Sequence, residues 1–203
     1  SNRRRDDRLE NEHASQRYAW LEHAFKASQW RSCRVGDLLL VCQDELFPVD
    51  MLLLASSDAQ GASFISTVSL DGETNLKERS AVPATQATAL PASKVNGRND
   101  PAGAAAALHQ VGVEVLLEAP HPNLSEANGS LALCAGSSFA QHSGVGVDNF
   151  LPRGCVLRNT KWVLGLAAYV GPDTKVRLNA ADAPTKVSDM QVKLSSCVFG
   201  VLA

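Results

Sequence analysis

The 203-residue sequence has no CxxC pair, no excess of basic charge and no run of about 20 apolar residues. Each absence removes a class of protein. Its five cysteines, Cys33, Cys42, Cys134, Cys155 and Cys197, are odd in number and far apart, so they read as free thiols in a reducing compartment, not a disulfide frame. No cysteine or histidine cluster has zinc-ligand spacing, and no metal ligand is assigned. Without a long apolar run there is no complete membrane-spanning helix. A formal net charge of −2 argues against a general nucleic-acid binder, which is usually clearly basic. A signal peptide is also lacking, since the start, SNRRRDDRLENE, is highly charged. The sequons at Asn123-Leu124-Ser125 and Asn128-Gly129-Ser130 would matter only in a secreted chain and are read as chance.

What is present suits a soluble globular domain with a real core: 45% of residues are hydrophobic and 20% charged. Residues 3–28 contain no proline or glycine, and Ala14, Tyr18, Leu21 and Phe25 fall at helical spacing, which predicts an amphipathic helix. The arginines at its start, Arg3, Arg4, Arg5 and Arg8, suit a solvated end or the cytosolic surface of a membrane. Beyond Trp30 the pattern changes. Leu38–Cys42 and Val49–Ala55 are apolar runs parted by an acidic, proline-containing turn, and they predict buried strands. In SFISTVSL, Phe64, Val68 and Leu70 share one face, with Ile65 among hydroxyls on the other.

Residues 81–110 are rich in alanine, proline and small polar residues, which predicts a long, partly disordered surface excursion with a short helix at the alanines. Strands resume at VGVEVLLEA and SLALCAG, whereas residues 136–148 read as loop. CVLRNT and WVLGLAAYVG predict two further strands, and PDTKVRLNAAD a short helix with proline at its start. The uncharged end, LSSCVFGVLA, is either a buried terminal element or the first turns of a membrane helix. About eight strands framed by terminal helices predict a mainly β fold, a distorted β-sandwich or jelly roll with flanking helices.

One stretch, SLDGETNLKE at residues 69–78, raises a question of chemistry. Asp71-Gly72 is a turn dipeptide, and glycine tolerates the positive φ of a sharp bend. Asp71, Glu73, Thr74 and Asn75 would then form a compact polar prow. By residue type alone this is an ordinary wetted turn or a carboxylate held out to react. A carboxylate-pair hydrolase using Asp71 and Glu73 is also conceivable, since residues i and i+2 of a strand lie about 7 Å apart on one face. The glycine between them spoils that geometry, and Trp20, Trp30 and Trp162 are better used in packing than as a sugar platform.

SFISTVSLDGETNLKERSAVPAT resembles the actuator-domain loop of the phospholipid-flipping P-type ATPases, whose dephosphorylation motif is DGET within a longer LDGETNLK. WRSCRVGDLLLVCQDELFPVDMLLLASSD is similar to the family's strands around its VGD and PAD segments, with Val49 in place of the alanine. LPRGCVLRNTKWVLGLAAYVGPDTKVRLNA is similar to its RGC-LRNT-W-G-YTG-TK stretch, with Val170 for the usual threonine. The likeness is most specific at residues 35–80 and 151–180 and weaker across 85–150. Ser66 stands where the family often has glutamate, and 96–107 reads as an insertion.

The resemblance implies three parts: a helical segment over 1–29 leading from the second membrane helix, a β-rich actuator domain over 30–180 with a flexible insertion at 85–110, and a helical segment over 181–203 leading to the third membrane helix. It implies a cytosolic domain of an integral membrane protein, with Glu73 catalytic and Asp71, Gly72, Thr74 and Asn75 as its supporting loop. ATP and Mg2+ would belong to the full-length protein, as would the phosphorylation and nucleotide-binding domains, the membrane helices and an accessory transmembrane glycoprotein subunit. Two rival readings are the regulatory flippase-like half of a guanylate cyclase fusion and a non-catalytic β-rich binding module.

Overall fold

The computed structural model describes residues 11–19, 22–95, 98–135 and 138–182. Its early strands are β1 (Ala14–Ala19), β2 (Ala24–Gln29), β3 (Leu38–Cys42), β4 (Asp50–Ser56), β5 (Ala62–Ser66) and β6 (Lys77–Ser80), with a one-turn helix α1 (Val68–Asp71) between the last two. Helix α2 (Pro83–Ser93), the short pair β7 (Lys94–Val95) and β8 (Arg98–Asn99), and helix α3 (Pro101–Val111) follow. The rest comprises β9 (Val113–Leu117), β10 (Gly129–Ala135), β11 (Ser138–Val145), β12 (Phe150–Leu151), β13 (Val156–Arg158), β14 (Trp162–Tyr169) and helix α4 (Lys175–Asp182).

A six-stranded antiparallel sheet in the order β12-β4-β14-β3-β1-β2 carries the fold. Its central strands β3, β4 and β14 are buried almost throughout, because both faces are covered; hence their continuous apolar sequence without alternation. On one face Leu38, Leu40, Leu52, Leu54 and Leu164 pack with Ala89 of α2, Ala104 and Leu108 of α3, and Leu131 of β10. On the other, Leu39, Val41, Met51, Leu53 and Val163 pack with Phe47, Ile65 and Leu157. Ile65 and Leu157 belong to the three-stranded sheet β13-β5-β6, and β11-β10-β9 forms another. The architecture is mainly β and layered, as the sequence predicts, and is divided among several antiparallel sheets.

Four local expectations are corrected. Ala14–Ala19 and Ala24–Gln29 are paired antiparallel strands, not a helix: Tyr18 pairs in register with Phe25, and their rings meet edge-on at 5.2 Å. A spacing of four places Ala14 and Tyr18 on one face of a strand as well as of a helix. β1 also pairs with β3 at Gln16 and Arg17, which joins the hairpin to the central sheet. Residues 3–10 lie outside the described residues, as does the chain from 183 onward. Second, much of the stretch read as a surface excursion forms two helices, α2 and α3, that pack on the central sheet. Ala89, Ala104 and Ala105 have no exposure, and Asp100 caps α3 by accepting the Ala102 N–H at 3.0 Å, with Pro101 beginning the helix. Third, 138–145 is strand β11 on β10, not loop. Fourth, Ser63 and Ile65 form the buried face of β5, while Phe64 is half-buried. The described residues hold fourteen strands where about eight are read from the pattern, since short and polar strands give little periodic signal.

Candidate functional site

β5 delivers the chain to the acidic tip and β6 takes it away. Between them Leu70 and Asp71 N–H groups donate to Thr67 O, at 2.8 and 3.1 Å, and Gly72 N–H donates to Val68 O at 3.1 Å. Gly72 then ends the turn in the left-handed region, φ 74° and ψ 1°. No atom lies within 4 Å of where its Cβ would be, so glycine is required by conformation, not by space. Ser69 Oγ donates to Gly154 O at 2.8 Å, fastening the turn to the loop after β12.

Asp71 faces back into this turn. Its Oδ1 accepts from Thr67 Oγ1 at 2.9 Å and from the Glu73 N–H at 3.0 Å, while Oδ2 takes Lys77 Nζ at 2.6 Å. The lysine bond, then the backbone donor, holds the Asp71 carboxyl down to about 2. Lys77 is pushed upward by the same bond and by Glu73. Because both side chains of the pair are about a third open to water, its value lies in geometry more than in stability.

Glu73 is the more exposed of the two carboxylates. Its side chain is 60% accessible, and one oxygen, Oε2, meets Lys77 Nζ at 3.1 Å. Residues 71–76 are all exposed, so Thr74 and Asn75 share the tip with it. Val68 and Leu76, 49% and 40% exposed, flank the tip with apolar surface. The fold thus gathers Asp71, Gly72, Glu73, Thr74 and Asn75 on one exposed turn and gives the two carboxylates different partners. Both Asp71 oxygens are engaged by the loop's own donors, which argues against its use as the second acid of a hydrolase pair. The behaviour of Asp71 was readable from Asx-turn chemistry. Lys77 was visible only as a nearby cation; its reach to both carboxylates depends on the β5–β6 pairing that sets Lys77 opposite Ile65.

Away from the tip, Cys155 is fully buried and its thiol is pushed up to about 12 by burial, so it stays protonated. Among the described residues no three His, Cys, Asp or Glu side chains are grouped to hold a metal ion. No helix of the described residues is long and apolar enough to cross a membrane.

No protein-family model matches the chain. The phospholipid-transporting ATPase tat-1 of Caenorhabditis elegans is 36% identical to it over 174 residues, 86% of this chain and 13% of that protein. The phospholipid-transporting ATPase dnf2 of Schizosaccharomyces pombe is 36% identical over 182 residues, 86% of this chain and 12% of that protein. For the phospholipid-transporting ATPase ID of Mus musculus the identity is 31% over 200 residues, 97% of this chain and 15% of that protein. The chain therefore spans only a small part of the length of these relatives.

Proposed function

This chain belongs, as a homologous segment, to the family of phospholipid-transporting ATPases, and from that premise we propose that it is the family's actuator domain, with Glu73 promoting hydrolysis of an aspartyl phosphate formed elsewhere in the full-length protein. The observation that carries the reading is the division of labour at the tip: Asp71 is turned inward to brace the loop, and Glu73 is turned out to solvent.

The chemistry asks for little more than that. A water attacks phosphorus in line with the departing aspartate carboxylate. The new P–O bond forms, the bond to the aspartate oxygen breaks, and the proton lost by the water passes to Glu73. Phosphoryl transfer leaves a protein mainly positioning and electrostatics to supply. A carboxylate that orients the water and accepts its proton as general base contributes about 10²–10⁴-fold. Reaching a phosphate on another domain requires a protruding tip, and Gly72 supplies the bend behind the glutamate. Thr74 and Asn75 offer hydrogen bonds without adding negative charge.

ATP and Mg2+ enter this reading at the phosphorylation and nucleotide-binding domains, and no residue of this chain is given a part in holding them. Lipid movement follows by coupling: lipid bound among the membrane helices favours the arrangement in which Glu73 meets the aspartyl phosphate, and rotation of the β-rich body pulls on the helices. That places the body on the cytosolic side. An accessory transmembrane glycoprotein would act on the membrane helices.

The test is Glu73→Gln in the full-length protein. It keeps hydrogen bonding near the water but removes the base. Phosphoenzyme should form normally and decay about 10²–10⁴-fold more slowly; decay at the wild-type rate would overturn the assignment.

A further inference from the structure

We propose that Lys77 is a positioning residue for this hydrolysis, holding the Glu73 carboxylate by one oxygen while itself anchored on Asp71; the inference rests on the role assigned to Glu73 above. Lys77 opens β6, and its backbone is fixed opposite Ile65, whose side chain has no exposure. From that fixed point its ammonium reaches over the turn to Asp71 Oδ2 at 2.6 Å and Glu73 Oε2 at 3.1 Å. Asp71 is immobilised by Thr67 Oγ1 and the Glu73 N–H. The chain of bonds therefore runs from the body, through Asp71 and Lys77, to a carboxylate that would otherwise swing freely on an exposed turn.

Two consequences follow for the chemistry. Lys77 takes only Oε2 of Glu73, which leaves Oε1 for a water. Positioning of this kind is where a rate is gained, since a small misplacement of a reacting group costs a large factor. The second consequence is charge. Two carboxylates and one ammonium leave the turn with a single net negative charge, so the approach to an anionic phosphoryl group is opposed less than two bare carboxylates would oppose it. Cys155, which couples electrostatically to both Asp71 and Lys77, stays protonated.

The experiment uses the full-length protein and follows phosphoenzyme decay. Lys77→Met should leave phosphoenzyme formation intact and slow its decay roughly tenfold or more. Lys77→Arg, which keeps the charge, should restore most of the rate. Decay of Lys77→Met at the wild-type rate overturns the inference. So does a Lys77→Arg variant as slow as Lys77→Met, or a failure of the Met and Arg variants alike to form phosphoenzyme, which would make Lys77 a folding residue. Glu73→Gln is measured alongside. Slow decay there with normal Lys77→Met removes only the lysine's role, whereas normal decay in Glu73→Gln removes the function it serves.

Discussion

Gly72 and Gly165 are both glycines the fold needs, for opposite reasons, and the contrast is a test. At Gly72 the backbone is left-handed with open space around it. A side chain there costs about 1–2 kcal/mol of conformational strain, released by distorting the turn that carries Glu73. At Gly165, in the middle of β14, a Cβ would come within 2.3 Å of Met51 Cε and 3.1 Å of its Cβ. Met51 Cε is the far end of a flexible side chain and can shift, but Met51 Cβ and Leu52 O, at 3.3 Å, must also give, an overpacking of the core worth about 1–3 kcal/mol. Gly72→Ala should therefore slow phosphoenzyme decay in the full-length protein far more than Gly165→Ala, while Gly165→Ala lowers the urea midpoint of the domain at least as much. Equal effects of both variants on decay would mean the turn conformation has no special part. The turn itself should persist in acid. Asp71 is depressed to about 2, so its contribution is present above the ordinary carboxylate value and lost only as pH falls through about 2.

Between elements, the counterpart of Asp71 is Asp50, the first residue of β4. It has no exposure, and its two oxygens accept the N–H groups of Arg153 at 2.8 Å and Lys175 at 2.7 Å. One buried carboxylate thus joins the central sheet to the loop after β12 and to the start of α4. Burial outweighs those two donors and the nearby cationic side chains of Lys175 and Arg153, and pushes Asp50 up to about 6. A raised carboxyl favours folding fully below its unfolded value, near 4, and that contribution is lost as pH rises through about 6. The thermal midpoint should therefore rise as pH is lowered from about 7 to about 5, and Asp50→Asn should flatten that rise. Identical slopes for wild type and variant would show that other groups carry the dependence. Elements such as β3, β4, β9, β10 and β14 were legible because apolar residues are bounded there by turn signals. The β1–β2 hairpin was not, because a spacing of four serves both periods. Helices α2 and α3 were read as surface because their residues are small. They are buried by close approach, not bulk: a Cβ on Gly103 would meet Ala92 O at 2.3 Å. The tip was legible in its residue types, whereas the Lys77 bridge needs the sheet pairing to exist first.

For the whole molecule, what matters is how the turn that carries Glu73 is fastened to the rest of the fold. The turn is bound to β5, β6 and the 154 loop, and Ile65 and Leu157 lock that small sheet onto the central one. In the function proposed above, rotation of the body would therefore carry the carboxylate with it. The chain spans 13% of tat-1 and 15% of the mouse relative, and the electrophile in this reading lies in the remainder. Alone, the chain should neither hydrolyse ATP nor bind nucleotide; nucleotide-dependent thermal stabilisation with a micromolar dissociation constant would contradict that. The same reasoning fixes the stability of Glu73→Gln in the isolated chain. An exposed side chain with one salt bridge to a lysine already held by Asp71 contributes little to folding, so the thermal midpoint should stay within about 2 °C of wild type. A loss of many degrees would mean that Glu73 holds the turn together, and a residue that brace-builds its own loop is not available to meet a phosphate elsewhere.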